Sequence, residues 1–189
     1  MTEQTRTIEE LIRQLLVALG EDPQRRGLVD TPARVARMFA EFFIGYDQSK
    51  IPRLTIFPNC EDGVVYNQML IDKGYYFSYC EHHIVPFFGE YAFGYIPDKY
   101  LLGASKIART IDYFAGRLQI AERLVQQVVD HIDSVVCPKG SILVMWGRHL
   151  CKEMRGVRKY GSPYEAIATT GVFYTNENGC KDEFLSRIK

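Results

Sequence analysis

The sequence predicts an α+β fold, because helical and strand patterns occur in blocks along the chain and do not alternate regularly. Apolar residues recur with helical period in two N-terminal segments, whereas residues 64–96 are rich in Val, Tyr, Phe and Ile. Further helical and strand patterns follow. We therefore expect N-terminal helices and then a sheet with helices packed against it.

Two amphipathic helices are predicted in the N-terminal part of the chain. The first starts near Thr7, whose spacing from Glu10 is that of a capping box, and ends at Gly20. The second starts at Asp30, with proline in its first turn, and ends before Gly45.

Residues 64–96 are broken by glycine, proline and aspartate, so we expect several consecutive strands there. Two helical patterns follow, one with Ser105 as a candidate cap and one that ends before Pro138. Residues 141–146 and 171–174 are predicted as strands, and residues 182–189 as a short terminal helix.

Composition excludes several classes of protein. The 189 residues are 47% hydrophobic, which is enough for one substantial core, and 23 basic residues balance 23 acidic ones. The chain therefore has no net charge that would indicate a nucleic-acid or membrane partner. No apolar run is long enough to span a bilayer. An odd number of cysteines, 5, argues against a disulfide framework, so we expect a cytoplasmic protein with reduced thiols.

Two short segments combine cysteine with histidine. Cys80 is followed by His82 and His83, and His149 precedes Cys151. Thiolate and imidazole suit zinc, and three ligands would leave the open position of a catalytic site. The spacing does not decide which of the paired histidines binds metal, and the others are acid or base candidates. The alternative is that the cysteines are buried packing residues and the histidines ordinary polar contacts.

Groups that suit a phosphate occur at the start of a predicted helix, where backbone donors and the dipole also favour an anion. They are Ser105, Lys106 and Arg109. The alternative interpretation is a serine cap followed by exposed basic residues, which is ordinary helix chemistry.

Four further residues are candidates for contacts with a nucleotide. Arg155 follows the second cysteine-histidine segment, and arginine binds phosphate oxygens through two nitrogens. Arg34 and Arg37 share one helix face, for which a solvated surface is the alternative. Glu122 is either a surface acid or an acceptor for the N1 and amino groups of guanine.

Four blocks of sequence resemble the GTP cyclohydrolase I family in order and spacing. They read DTPARVARMF, SYCEHHIVPFFG with GYIP, GASKIAR with LQIAERL, and HLCKEMRGVRK. The resemblance implies a tunnelling fold, in which an antiparallel sheet carries two helices on one face. It also implies that residues 1–60 form a helical region and residues 61–189 a catalytic region, both within one structural unit. The implied assembly is a homodecamer of two pentameric barrels, with active sites at subunit interfaces.

The resemblance implies a hydrolase that converts GTP and water to 7,8-dihydroneopterin triphosphate and formate, without a redox cofactor. Zn²⁺ would be held by Cys80, His83 and Cys151, and water activated there would attack C8 of GTP. His82 would protonate the opening imidazole ring, and Ser105 with His149 would assist the ribose rearrangement.

The same resemblance assigns the substrate contacts. Glu122 would anchor guanine, while Lys106, Arg109 and Arg155 would hold the triphosphate. Arg34 and Arg37 would reach the site from a neighbouring subunit.

One departure from the family pattern lies beside the guanine-binding acid. The family's Q-x-Q-E reads Gln119, Ile120, Ala121, Glu122 here, so one amide is replaced by a methyl group. Two alternatives therefore stay open: an enzyme with partial ring opening, a cyclic phosphate product or a related purine substrate, and a non-catalytic oligomer that binds a purine or pterin. The pathway that uses the product, whether for folate, biopterin or a deazapurine, is not fixed by the sequence.

Overall fold

Residues 2–189 are described by a computed structural model. They form two compact units, of which the first ends at Ile44 and the second runs from Gly45 to Lys189. Within residues 2–189, no helix combines the length and apolar character needed to cross a membrane.

The first unit contains two helices that pack against each other, α1 (Glu3–Ala18) and α2 (Thr31–Phe42). α1 begins one turn earlier than predicted, because the Thr2 side chain accepts a hydrogen bond from the backbone N–H of Thr5 and caps the helix there. α2 begins as predicted, with Asp30 at the N-cap and proline in the first turn.

The second unit contains seven strands in two sheets. The strands are β1 (Ile56–Pro58), β2 (Leu70–Cys80), β3 (Pro86–Ile96), β4 (Tyr100–Leu102), β5 (Leu118–Gln119), β6 (Gly140–His149) and β7 (Tyr164–Thr169). β1 pairs with β4, and the larger sheet has the order β5-β2-β3-β6-β7. Its pairs are antiparallel except for β2 with β5. β1 precedes residue 61, the predicted start of the catalytic region.

Five α-helices and short 3₁₀ segments complete the described chain. The α-helices are α3 (Ser105–Ala115), α4 (Ala121–Val136), α5 (Leu150–Glu153), α6 (Gly171–Thr175) and α7 (Cys180–Arg187). The 3₁₀ segments are Ile44–Tyr46, Gln48–Lys50 and Glu177–Gly179. Ala104, and not Ser105, occupies the N-cap position of α3.

The main core lies between one face of the larger sheet and helices α3 and α4. It includes Phe93 and Met145 from the strands, Ile111 from α3 and Leu124 from α4. This arrangement follows from strand periodicity, since alternate side chains of a strand point to opposite faces. The predicted α+β class, with an antiparallel sheet and two helices on one face, is confirmed.

A second core covers the opposite face of the sheet. Ile142 and Val144, which alternate with main-core residues along β6, pack with Phe173 of α6 and Phe184 of α7. The prediction of a strand at residues 171–174 is therefore wrong. The chain turns at Gly171, whose φ of +50° is left-handed and where a Cβ atom would lie 2.0 Å from the Lys139 carbonyl oxygen, so the ladder of β7 cannot continue.

We predict that Phe173→Ala destabilises the second core. Phe173 is fully buried, so its truncation removes apolar contacts and leaves a cavity, at a cost of about 3–5 kcal/mol in the free energy of unfolding. The matched control is Tyr174→Ala on the same helix, where the side chain is 78% exposed and the expected change is within about 0.5 kcal/mol. Urea denaturation at one fixed protein concentration measures both. Equal effects of the two substitutions would contradict the assigned core.

Candidate active site

A tight turn after β2 brings the first cysteine-histidine segment together. The Ile84 N–H donates to the Cys80 carbonyl at 2.8 Å, and the Cys80 N–H donates to the Val85 carbonyl at 2.9 Å. Ile84 has a φ of +54°, a left-handed conformation that a β-branched residue rarely adopts. The turn folds His82 and His83 back toward the thiol that precedes them.

Sheet register brings the second segment to the same place. β3 and β6 are antiparallel, and Phe87 at the start of β3 is paired with His149 at the end of β6. α5 begins directly after His149 and carries Cys151 in its single turn. Arg148 fixes this turn through an ion pair with Glu153 at 2.6 Å, in which the carboxylate is almost fully buried.

Three side chains converge into a group that can hold a metal ion. One ligand atom each from Cys80, His83 and Cys151 lies within 4.8 Å of the others. The Cys80 Sγ atom is 3.6 Å from His83 Nδ1. Tetrahedral zinc with ordinary bond lengths places a sulfur and a nitrogen ligand about 3.6 Å apart, so the pair is already spaced for it.

The structure separates the two neighbouring histidines, which spacing alone does not. His83 belongs to the three-residue group, whereas His82 does not. The Nδ1 atom of His82 is 3.8 Å from Cys80 Sγ, but its side chain is 64% exposed. His82 also lines a pocket beside the three-residue group, so it is placed to exchange protons with a molecule bound there.

A pocket of about 190 Å³ adjoins the metal-binding group and receives both of its thiols. Its other walls come from the start of α4, the end of β6 and the start of β7. The side chains that define its chemistry are His82, Phe87, Glu122, His149, Lys152 and Tyr164. The pocket therefore combines apolar rings, a carboxylate and imidazoles around a candidate metal centre.

His149 is held rigidly in this pocket. Its ring stacks on Phe87 with centroids 4.6 Å apart, and Tyr164 meets it edge-on at 5.2 Å. Within residues 2–189, its Nε2 atom is buried and has no hydrogen-bond partner. Burial lowers the pKa of His149, so the ring is neutral at neutral pH and can accept a proton.

Glu122 meets a tyrosine that the sequence analysis does not identify. The Tyr164 hydroxyl donates a hydrogen bond to Glu122 Oε1. This hydrogen bond lowers the pKa of Glu122, which stays ionised at neutral pH. No motif marks Tyr164, and no local signal could have identified it, because the pairing of β7 with β6 brings it to the pocket.

Side-chain hydrogen bonds connect the metal-binding turn to α4. Arg123 pairs with Glu81 through Nη2 and donates from Nε to the Gln119 side chain at 2.9 Å. Gln119 in turn donates to the Phe114 carbonyl at 2.9 Å. These contacts fix the turn that carries the ligands relative to the helix that carries Glu122.

The predicted phosphate-binding residues do not all lie near the pocket. Arg155 lies beside the metal-binding group, with Nη1 2.6 Å from His83 Nε2. Ser105, Lys106 and Arg109 lie in the first turns of α3 and are not among the residues that line the pocket.

The two arginines of α2 belong to the first unit. Arg34 pairs with Asp30 at 3.3 Å on an exposed surface, and Arg37 is exposed. Their role at a site of another subunit stays a prediction.

Sequence comparison relates nearly the whole chain to one protein family. The family model described as GTP cyclohydrolase I matches residues 8–189. A GTP cyclohydrolase 1 from Wolinella succinogenes is 37% identical over 189 residues, which is 100% of both chains. One from Porphyromonas gingivalis is 42% identical, covering 96% of this chain and 92% of the relative. One from Thermobifida fusca is 46% identical, covering 88% and 80%.

Among solved structures, the apo form of the archaeosine synthase QueF-Like aligns with a TM-score of 0.47 and 18% identity, over 55% of this chain and 93% of that chain. The family assignment depends on the sequence matches, which extend over nearly all of the residues that build both cores and the pocket. This chain belongs to the GTP cyclohydrolase I family.

Proposed function

We propose that this chain is a GTP cyclohydrolase I, which converts GTP and water to 7,8-dihydroneopterin triphosphate and formate. The proposal depends mainly on one observation: a single pocket brings together a Cys-His-Cys group, two further histidines and an ionised glutamate. Family membership supports the same reaction.

The metal in this proposal is Zn²⁺, held by Cys80, His83 and Cys151. Two thiols and an imidazole are ligands that zinc prefers, and their spacing fits its bond lengths. When bound by three protein ligands, zinc would supply Lewis acidity and would lower the pKa of a water molecule to about 7.

The base of GTP would be read by Glu122. Guanine presents two adjacent donors, N1–H and the exocyclic amino group, and an ionised carboxylate has two oxygens to accept them. The Glu122 carboxylate lies at the pocket wall and is ionised at neutral pH, which supports this role.

Proton transfer would be divided between two histidines. His82 is exposed at the pocket wall and would protonate the imidazole ring of the base as it opens. His149 is neutral, and within residues 2–189 its buried Nε2 atom has no hydrogen-bond partner, so it would take a proton during the ribose rearrangement. Ser105, which does not line the pocket of its own chain, would assist from a neighbouring subunit.

The triphosphate would be held by cations from more than one chain. Arg155 lies beside the metal-binding group, whereas Lys106 and Arg109 do not line the pocket of their own chain. Oligomeric assembly, which family membership implies, would bring such residues to a neighbouring pocket. We propose a cytoplasmic decamer of two pentamers, with Arg34 and Arg37 also acting across a subunit interface.

An altered reaction is the second candidate, and one observation favours it. Ala121 is buried and lines the pocket next to Glu122, so a methyl group stands where the family pattern has an amide. Such a pocket would suit partial ring opening, a cyclic phosphate product or a related purine. Measurement of the product separates the two candidates.

We predict that zinc-loaded wild-type protein releases formate from GTP and forms 7,8-dihydroneopterin triphosphate in equal amounts. Formate assay and ultraviolet absorbance of the pterin measure the two products. Formate without the pterin would support the altered reaction. If neither product forms, the proposed function is wrong.

We predict that Cys151→Ala abolishes both stoichiometric zinc binding and formate release, because it removes one of three metal ligands. Zinc per chain is measured by atomic emission after dialysis. Cys60→Ala is the matched control, since Cys60 is an exposed cysteine outside the ligand group. A Cys151→Ala protein that keeps its zinc and its activity would refute the ligand assignment.

We predict that His149→Asn slows pterin formation by about 100-fold or more while formate release falls less, because a general acid or base contributes about that much to its own step. His131→Asn is the control: His131 is also half-buried against an aromatic ring, but it lies outside the pocket. The ratio of formate to pterin over time is measured. An unchanged ratio in His149→Asn would exclude a separate role in the later step.

A further inference from the structure

Tyr164 is a pocket residue to which neither the sequence motifs nor the proposed chemistry assigns a role. It begins β7, the edge strand of the larger sheet, where it is paired with Gly147 of β6. Its hydroxyl reaches Glu122 at the start of α4, a residue 42 positions earlier in the chain. Because this contact joins two separate elements at the pocket, it can serve a function in binding.

The contact restrains a side chain that otherwise has much freedom. Glu122 is exposed in the first turn of α4, and a glutamate there has three rotatable bonds to order. Tyr164 has only two, and its ring is packed edge-on against His149, which itself stacks on Phe87. The Tyr164 side chain is 40% exposed, but its contact with the packed His149 ring restrains it, so its hydroxyl can orient the carboxylate that it contacts.

The hydrogen bond leaves the carboxylate able to accept a base. An ionised carboxylate offers about four lone-pair sites, and the Tyr164 hydroxyl uses one of them, on Oε1. The remaining sites on the two oxygens can receive two parallel N–H donors. A carboxylate held in one plane favours such paired donors over a single donor, because both bonds then form without further ordering.

We propose that Tyr164 is a positioning residue for recognition of the purine base: its hydroxyl holds Glu122 in the orientation that accepts two adjacent N–H donors. The inference rests on the proposed function, because it takes Glu122 as the group that binds guanine. It makes Tyr164 a determinant of preference for a 2-amino-6-oxopurine over a purine that lacks the amino group.

Tyr164→Phe tests the proposal, because it removes the hydroxyl and keeps the ring beside His149. We expect the KM for GTP to rise about tenfold, the usual effect of losing one hydrogen bond to a charged group, with kcat changed less than about twofold. We also expect the preference for GTP over inosine triphosphate, as a ratio of kcat/KM, to fall by about the same factor. Tyr174→Phe, at an exposed tyrosine of α6, is the matched control.

A second variant distinguishes positioning from a direct contact with the substrate. In a Glu122→Ala background, Tyr164→Phe should change kcat/KM less than about twofold, because the group through which it acts is gone. Equal effects with and without Glu122, or an unchanged KM and base preference in Tyr164→Phe, would overturn the proposal. A lowered thermal midpoint with an unchanged KM would likewise reduce Tyr164 to a structural residue.

The controls separate this inference from the proposed function. If wild-type and Tyr174→Phe proteins both fail to release formate from GTP, the proposed function fails. If both are active and Tyr164→Phe behaves as they do, only the positioning role fails.

Discussion

The antiparallel pairing of β3 with β6 is the constraint on which the site depends. Its register sets Phe87 opposite His149, so the turn before β3 and the helix after β6 emerge at the same end of the sheet. Cys80 and Cys151 are thereby brought within ligand distance although they lie far apart in sequence. A one-residue slip would invert every side chain of one strand and disperse both cores together with the metal-binding group.

The sheet also places the rest of the pocket. β7 adds to the far side of β6 and carries Tyr164 to the same end, while α4 packs on the sheet and presents Glu122 in its first turn. Aromatic packing then continues from strand to strand, from Phe87 through His149 to Tyr164. Ring packing thus restrains His149 at the end of β6 and Tyr164 at the start of β7, whereas His82 on the turn and Glu122 on α4 are exposed.

Sequence patterns predicted the parts of this arrangement that are local. Helical periodicity and caps gave α2, and strand composition indicated β2 and β3. Residues 171–174 are predicted as a strand from their apolar composition, and this prediction is wrong. The left-handed Gly171 ends the strand ladder, and the apolar residues that follow pack as a helix on the second core. Spacing alone does not distinguish His83 from its neighbour, whereas the family resemblance selects His83, which belongs to the group that can hold a metal ion. The role of Tyr164 becomes visible only through a tertiary contact, which depends on strand register and leaves no periodic pattern in the sequence.

The pocket of one chain has too few positive charges to hold the triphosphate of the proposed substrate by itself. Of the described residues that line the pocket, Lys152 carries the one permanent positive charge, and its Nζ already donates to the Ser162 hydroxyl at 2.8 Å. A triphosphate bears several negative charges and needs several cations or backbone donors around it. The Cys-His-Cys group and Glu122 lie at the pocket within one chain, whereas Lys106 and Arg109 are not among the residues that line it. Assembly therefore has a chemical purpose in the proposed function, because it would supply the phosphate end of a site whose other end the fold already builds.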